Sequence, residues 1–331
     1  MHLFELTRRL IEIESITENE KHLAFFLRDY LSNLNYQVSL QEAARDRFNV
    51  LALADGRPEL IFSTHLDTVP PFIPFSEDHE FIYGRGACDA KGILAAQIEA
   101  AQKLRGEGEN RLGLLFVVGE ERNSAGALHA NKTPVGSKFL IDGEPTENRL
   151  VTGSKGSLRA EIITSGRAAH SAYPDMGESA VLKLLDLLEE IRQLKFDLHP
   201  VLGETTCNFG VLEGGTKANI IPDRARAEIM FRSVEPLERI KRRLEAIVVG
   251  RAEIRYPFEV PIVMMNVLEG IETSVVSFSS DVPFLSEWGS PYLLGPGSIL
   301  DAHSERERIS KKQLLEGVDL YVHLAGRLLA Q

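Results

Sequence analysis

Histidine and acidic residues stand at the ends of several apolar runs in this 331-residue sequence, and their side chains are of the types that bind divalent metal ions. The residues concerned are His65, Asp67, Asp89, Glu120, Glu121, Glu144 and His303. Imidazole nitrogens and carboxylate oxygens ligate zinc, cobalt and manganese, so such a set could support metal-assisted hydrolysis. Two cysteines, Cys88 and Cys207, are too distant in sequence for a thiolate zinc cluster or a disulfide framework. Any metal is therefore expected to be held by nitrogen and oxygen.

The spacing of these residues favours a centre with two metal ions. His65 and Asp67 form a His-X-Asp pair, and a metal-bound imidazole normally has its second nitrogen oriented by a carboxylate. Glu120 and Glu121 follow an apolar run, where two adjacent carboxylates repel each other unless a cation is near. Five ligands of the types His, Asp, Glu, Glu and His exceed what one tetrahedral zinc with an open position needs. They suit two metals that share a bridging carboxylate.

Each of these residues also has an explanation that needs no metal. Asp89 precedes a helical pattern and could be its N-cap. The His-X-Asp pair could be incidental surface, and two adjacent glutamates often lie in a solvated loop. Glu144 and His303 could each be a turn or surface residue.

Other catalytic or nucleotide-binding signatures are absent from the sequence. It contains no Gly-X-Ser-X-Gly, no His-Glu-X-X-His, and no glycine spacing of the dinucleotide or P-loop type. Cys88 lies beside Asp89 and could be a nucleophile, but no histidine follows nearby, so a buried structural cysteine is the favoured interpretation.

The apolar runs that precede the candidate ligands predict strands of an α/β sheet. Strands are expected at Phe48–Ala54, Leu60–Thr64, Leu112–Val118 and Phe139–Ile141, with a helix at Lys91–Leu104. Such alternation predicts a mixed, largely parallel sheet covered by helices, whose ligands bind at the carboxyl edge of the strands. Two amphipathic helices are expected within Leu3–Leu34, the second opening at Thr17 with a capping box to Glu20.

The middle third of the chain predicts a separate domain. Its strands are expected near Leu158–Thr164, Cys207–Leu212, Ala225–Phe231 and Ala252–Tyr256, and its helices at Glu178–Leu194 and Pro236–Val248. This βαββαβ order is typical of a ferredoxin-like unit. After Pro261 the pattern predicts a helix near Asp281–Glu287, a strand near Pro291–Leu294 and a closing helix at Ser310–Leu329. We therefore expect one domain at 1–153 and 259–331, interrupted by an inserted domain at 154–258.

Composition and charge exclude several classes of protein. Apolar residues make up 44% and charged residues 26% of the chain, which is typical of a globular protein. The chain has 37 basic and 48 acidic residues and a net charge of −11, so neither nucleic acid nor an anionic membrane is an expected partner. No apolar run approaches the ~18 residues of a membrane helix, and the N-terminus lacks a secretory h-region, which predicts a cytoplasmic protein.

Seven segments of the sequence resemble the M20 family of metallopeptidases and deacylases. In chain order they are STHLDTVP (63–70), YGRGACDAKG (83–92), GEE (119–121), GEPT (143–146), GRAAHSAYP (166–174), GGTKANIIPD (214–223) and LGPGSILDAH (294–303). The family includes acetylornithine deacetylase, succinyl-diaminopimelate desuccinylase and carboxypeptidase G. The last segment and the preceding SSDVPFL are most similar to the acetylornithine deacetylase branch.

The resemblance implies a role for each candidate residue of the metal centre. Asp89 is expected to bridge two divalent ions, zinc or alternatively cobalt or manganese. By the same resemblance, His65 and Glu144 complete one metal site, and Glu121 and His303 complete the other. Asp67 is expected to orient His65, and Glu120 is expected to be the general base.

The resemblance also implies roles for the inserted domain. That domain is expected to form a homodimer, and His170 is expected to reach the active site of the partner subunit. Asn219 and Arg232 match positions near the substrate, with Arg232 as the expected carboxylate clamp. The family commonly has a Pro-Asp-Glu-like run after the last histidine, whereas here the residues are Ser304-Glu305-Arg306-Glu307-Arg308. This departure affects contacts at the edge of the substrate site.

The leading functional hypothesis is a co-catalytic metal amidohydrolase that removes an acyl group, expected to be acetyl, from an amino acid such as ornithine or lysine. A desuccinylase, an aminoacylase, a dipeptidase or a carboxypeptidase on the same scaffold is the alternative. A metal-bound protein without catalytic activity is a remote alternative, because every expected ligand and the expected base are present.

Overall fold

A computed structural model describes residues 1–54 and 57–331 of the chain. The chain divides into two compact units. The outer unit comprises residues 1–152, 265–274 and 280–331, and the inserted unit comprises residues 153–264 and 275–279. The chain returns to the outer unit at Met265 rather than near residue 259, because the last long strand of the inserted unit extends to Val260 and a short strand follows it. The short return of 275–279 was not anticipated from the sequence.

The helices and strands have the following bounds. The α-helices are α1 Leu3–Glu12, α2 Lys21–Asn33, α3 Lys91–Gly106, α4 Ala125–Ala130, α5 Ala180–Arg192, α6 Leu237–Val248 and α7 Lys311–Leu329. The strands are β1 Gln37–Ala44, β2 Arg47–Leu53, β3 Leu60–His65, β4 Ser76–Glu77, β5 Phe81–Tyr83, β6 Leu112–Val117, β7 Phe139–Asp142, β8 Leu150–Ser154, β9 Gly156–Ser165, β10 Ala169–His170, β11 Thr206–Gly214, β12 Ile220–Ile221, β13 Arg224–Ser233, β14 Glu253–Val260, β15 Val263–Met264, β16 Thr273–Val276, β17 Ser290–Leu293 and β18 Arg308–Ser310. Short 3₁₀ turns lie at Pro174–Met176, Val282–Phe284 and Ser286–Trp288.

The outer unit is built on a mixed sheet with the strand order β1-β2-β6-β3-β7-β17. Strands β6, β3, β7 and β17 run parallel, whereas β1 and β2 pair antiparallel. Successive residues of β6 alternate between two hydrophobic cores: Leu114 lies in the core with α1, α3 and α7, and Leu115 lies in the core with α4 and Trp288. Because both faces are covered, β3 and β6 are buried along their whole length. The predicted α/β class is confirmed.

The inserted unit is a ferredoxin-like βαββαβ fold, as predicted. Its sheet has the order β11-β13-β9-β14, and every neighbouring pair is antiparallel. One face packs on α5 and α6 through residues such as Leu158, Ile162 and Phe231. The alternation of side chains sends charged residues, among them Arg159 and Arg232, to the other face.

Two predicted helix features are wrong. The segment expected to be a helix at Asp281–Glu287 forms the two successive 3₁₀ turns given above. Its backbone hydrogen bonds span three residues, from Phe284 N to Asp281 O and from Leu285 N to Val282 O, and Gly289, whose φ is +103°, ends the segment before an α-helical turn can continue. The helix expected from Thr17 begins at Lys21 instead.

The predicted capping box does not form because both of its side chains have partners elsewhere. The Thr17 hydroxyl donates to Asp67 Oδ2 at 2.8 Å. Glu20 accepts hydrogen bonds from the Glu18 amide and from the buried guanidinium of Arg47. None of the described helices combines the length and apolar character that crossing a bilayer requires.

Candidate metal centre

The candidate ligands lie at the carboxyl ends of adjacent parallel strands. His65 is the last residue of β3, Glu120 and Glu121 follow the end of β6, and Glu144 follows the end of β7. Because β6, β3 and β7 are neighbours in the sheet, their carboxyl ends meet at one edge. This edge is the usual ligand site of an open α/β sheet.

Asp89 lies between two imidazoles, with each carboxylate oxygen facing a different one. Its Oδ1 is 2.8 Å from His65 Nε2, and its Oδ2 is 3.2 Å from His303 Nε2. His303 Nε2 is also 3.0 Å from the carboxylate of Glu121. The alternative role of Asp89 as a helix cap is wrong, because Ala90 is the N-cap of α3 and no side chain caps it.

The five predicted metal ligands and Glu120 share one neighbourhood. Ligand atoms of His65, Asp89 and Glu121 all lie within 4.8 Å of one another, and so do those of His65, Glu120 and Glu144. Glu120 is thus as close to the centre as Glu144. The division of these two residues into base and ligand therefore stays a prediction from the family resemblance.

The centre holds more buried carboxylates than imidazoles. Burial and the charges of neighbouring acids raise the pKa values of Glu120, Glu121 and Glu144. Burial alone would raise the pKa of Asp89, but the hydrogen bonds to the two histidines outweigh it and hold that pKa below its usual range. Clustered carboxylates in a buried site, with imidazoles at hydrogen-bond distance, are the donor set that divalent cations require. These residues fit such ions.

The two histidines have raised pKa values. Burial lowers the pKa of His65, which is 1% exposed, yet the nearby Asp67 and Asp89 carboxylates more than offset this and raise it well above the ordinary value. Hydrogen bonds to Asp89 and Glu121 raise the pKa of His303 to about 10. Because a ring nitrogen binds a metal ion only without its proton, protons compete with the ion for both histidines.

His65 is nearer to the backbone carbonyl of Asp67 than to its carboxylate, and the role of Asp67 in orienting His65 stays a prediction. His65 Nδ1 lies 2.9 Å from the carbonyl oxygen of Asp67 but 3.7 Å from the carboxylate. Instead, the carboxylate accepts backbone hydrogen bonds from Gly119, Glu120 and Glu121, at 2.8, 3.1 and 3.3 Å. The carboxylate thus fixes the loop that carries both glutamates, and it also raises the pKa of the neighbouring His65.

Glu307, which sequence reasoning did not identify, holds the turn that carries Asp89. Its Oε1 accepts the backbone amides of Cys88 and Asp89, each at 3.1 Å, and its Oε2 accepts from Arg85 Nη1 at 2.6 Å. Glu307 and Arg85 are 1% and 2% exposed. The sequence feature that could have identified Glu307 is its position four residues after His303, inside the segment that departs from the family pattern.

Two further acids are buried in the outer unit, and Cys88 has a structural role. Burial raises the pKa of Asp142 well above its ordinary value and that of Asp281 to about 7. Asp142 is the last residue of β7, and its place at the end of an apolar run could have identified it from the sequence. Asp281 lies in an irregular segment with no such pattern. The Cys88 thiol is buried, donates to the Ser298 carbonyl at 3.3 Å and has a raised pKa, which opposes a nucleophilic role.

The predicted residues of the inserted unit fall into two places. His170 on β10 pairs with Ile220 on β12, and Ser171 N donates to Asn219 O at 3.1 Å, so His170 and Asn219 are neighbours and both are exposed. Arg232 lies on β13, partly buried, with Nη1 donating to Ser157 Oγ at 2.5 Å.

Comparisons with known proteins identify the family. A family model described as a peptidase dimerisation domain matches residues 152–253. A peptidase M20 domain-containing protein of Schizosaccharomyces pombe is 37% identical over 332 residues, covering 97% of this chain and 83% of the relative. A probable carboxypeptidase of Uncinocarpus reesii is 36% identical over 389 residues, covering 99% of this chain and 86% of the relative.

Solved structures share the fold. A tripeptidase of Staphylococcus aureus has a TM-score of 0.82 at 24% identity and covers 97% of this chain and 96% of its own. An M20 family metallo-carboxypeptidase of Sulfolobus solfataricus has a TM-score of 0.79 at 17% identity, covering 97% and 98%. The relatives' identity over nearly the whole chain shows that this protein belongs to the M20 family of metallopeptidases, which are metal-dependent hydrolases of amide bonds.

Proposed function

We propose that the protein hydrolyses the amide bond next to a free carboxylate in small peptides and N-acyl amino acids, using two divalent metal ions. The observation that carries this proposal is Asp89, whose two oxygens face His65 and His303 separately. The printed names of the relatives favour peptides as substrates, since one is a probable carboxypeptidase. Acetyl-ornithine and acetyl-lysine, favoured by the sequence, are among the smallest compounds of this class.

The proposed metal sites follow the resemblance and are supported by the distances. Asp89 would be shared, His65 and Glu144 would complete one site, and Glu121 and His303 the other. Bound divalent ions, zinc or alternatively cobalt or manganese, would lower the pKa of water and polarise the amide carbonyl.

Glu120 is the proposed general base and acid. Burial and neighbouring acids raise its pKa, which makes its carboxylate a stronger base than an exposed glutamate. It would take a proton from water as the water oxygen bonds to the carbonyl carbon, and return that proton to the nitrogen as the C–N bond breaks. Such proton transfer contributes about 10²–10⁴ in rate.

Arg232 is the proposed clamp for the carboxylate of the released amino acid. In the described parts of the chain its guanidinium has a hydrogen bond to the neutral hydroxyl of Ser157 and no ion pair with a carboxylate. A guanidinium can bind a substrate carboxylate through two parallel hydrogen bonds.

A homodimer through the inserted unit is supported by its exposed apolar side chains. Phe209 and Leu212 lie on the edge strand β11, and Leu182 and Leu185 lie on α5. His170 Nδ1 accepts the amide of Ala172 at 3.2 Å, so Nε2 is the ring nitrogen available to donate a hydrogen bond. We propose that this donor stabilises the oxyanion in the site of the partner subunit. A cytoplasmic location stays a prediction.

The test is turnover of a substrate panel by metal-stripped protein reloaded with zinc, cobalt or manganese. The panel comprises acetyl-ornithine, acetyl-lysine, succinyl-diaminopimelate and simple dipeptides, with the C-terminal carboxamide of each dipeptide as its control. We expect metal-dependent turnover and a loss of about tenfold to a hundredfold for the carboxamides, because a charged hydrogen bond is lost. Metal-loaded protein that turns over no member of the panel would favour a binding protein without catalysis.

Light scattering tests the dimer, and a strictly monomeric protein that is active would contradict the role of His170.

A further inference from the structure

Arg159 and Arg232 are neighbours on one face of the inserted sheet. In the register of β9 and β13, Arg232 is opposite Ser157, and Arg159 is opposite Met230. The two arginines are therefore diagonal neighbours, a relation that places Cα atoms roughly 7–8 Å apart. Side chains as long as arginine reach across that distance.

The other arginines of this face are neutralised by acids. We use the name arginine face for the surface formed by Arg159, Arg226, Arg232 and Arg255. Arg226 is paired with Glu161, Glu213 and Glu228. Arg255 is paired with Glu253 and lies near Glu161. Acidic residues of the arginine face are thus concentrated at one end of it.

Arg159 and Arg232 are not neutralised by an acidic side chain in the part of the chain that the structure describes. Neither forms an ion pair with an acidic side chain, and Arg159 Nε is buried without a hydrogen-bond partner. Acids are not scarce in this chain, which has 48 of them against 37 basic residues. Two adjacent cations that are partly removed from water repel each other, and a buried donor without a partner destabilises the fold unless a ligand satisfies it.

The flanking residues make this part of the face suitable for a carboxylate. Arg159 is directly opposite Met230 on one side and Phe258 on the other, and both are partly buried. Apolar neighbours exclude water and so strengthen a charged hydrogen bond. The planar guanidinium matches the geometry of a carboxylate.

We propose that Arg159 and Arg232 together bind two carboxylates of one substrate, so that the preferred substrate carries a second carboxylate besides that of the released amino acid. This inference rests on the proposed function, in which Arg232 binds the first carboxylate. The second carboxylate can belong to the side chain of the released amino acid or to the acyl group. Arg159 is then a residue that determines substrate specificity.

The test compares kcat/KM for pairs of substrates that differ in one charge. N-acetyl-glutamate is compared with N-acetyl-glutamine, which places the charge on the released amino acid. N-succinyl-leucine is compared with N-butyryl-leucine, which places it on the acyl group. We expect the metal-loaded enzyme to prefer the dicarboxylate about tenfold to a hundredfold in one pair, and that pair identifies the source of the charge. No preference in either pair overturns the proposal.

Variants assign the preference to Arg159. Arg159→Gln should lower the preference to near unity, and Arg159→Lys should keep part of it. Arg255→Gln removes another arginine of the same face and should leave the preference as in the parent enzyme. An equal loss for charged and neutral substrates in Arg159→Gln would show a structural role and overturn the proposal.

Binding of glutarate and of butyrate to the metal-loaded protein gives the comparison without turnover. Tighter binding of glutarate that is lost in Arg159→Gln supports the proposal even if no substrate is hydrolysed, whereas equal binding by parent and variant overturns it. Failure of the proposed hydrolysis is thus distinguished from failure of the two-carboxylate site.

Discussion

The metal centre of the outer unit and the arginine face of the inserted unit depart from charge pairing in opposite directions. The centre gathers Asp89, Glu120, Glu121 and Glu144 around two imidazoles, and burial raises the pKa of each glutamate. At the arginine face, two guanidiniums have no acidic partner in the described chain. Since charges that are partly removed from water are normally compensated, the uncompensated charge indicates the ligand that each region suits: cations at the metal centre, and an anion at Arg159 and Arg232.

The largest expected effect is on the proton transfer at the metal centre. Glu120→Gln should reduce kcat by about 10²–10⁴, because the amide cannot accept a proton from water. It should keep its metal, since the side-chain volume and the other ligands are retained. His303→Ala should instead lose metal. Activity and metal content measured on the same samples separate the two outcomes, and a fully active Glu120→Gln enzyme would refute the assignment of the base.

The parts of the molecule that were predictable from sequence are those with local patterns. The buried strands β3, β6 and β7 are apolar runs, and the ligands that follow them meet because parallel strands end at one edge. The order of strands and helices in the inserted unit was also predicted correctly from its apolar patterns. The helix expected near Asp281 is instead two short 3₁₀ turns that end at Gly289, and the apolar spacing of so short a segment does not distinguish the two kinds of turn.

The remaining features depend on contacts between residues distant in sequence. Glu307 accepts the amide of Asp89 across 218 positions, and no local pattern records such a contact. Similarly, the Thr17 hydroxyl does not cap a helix but donates a hydrogen bond to Asp67, 50 residues away. The sequence also could not predict that Arg159 lacks an acidic partner, because this depends on which acids the folded sheet places beside Arg226 and Arg255.

The second expected effect concerns how firmly the centre holds its metal. Glu307→Gln should weaken zinc binding about tenfold to a hundredfold, the usual range for residues that orient metal ligands. The neutral amide is a weaker acceptor for the backbone of Asp89, and it leaves Arg85 without its buried counter-charge. Zinc affinity is measured with a competing chelator.

Glu305→Gln is the matched control for Glu307→Gln, because Glu305 is exposed in the same segment. Thermal unfolding of both variants without metal shows how much of the change is structural. If Glu307→Gln destabilises the metal-free protein but binds zinc as tightly as the parent, Glu307 supports the fold and does not position Asp89.

The last expected effect is a graded pH dependence that distinguishes the two regions. Hydrogen bonds to Asp89 and Glu121 raise the pKa of His303 to about 10 in the metal-free protein, and His65 is raised as well. Zinc must displace these protons, so its apparent affinity should increase with pH, by about tenfold per pH unit for each proton released. Chelator competition between pH 6 and 8 measures the slope, and a flat profile would contradict protonated histidines. The charge of a guanidinium does not change over this range. The preference for dicarboxylates should therefore be constant where zinc affinity changes, and a preference that followed the zinc profile would place the second carboxylate at the metal centre instead.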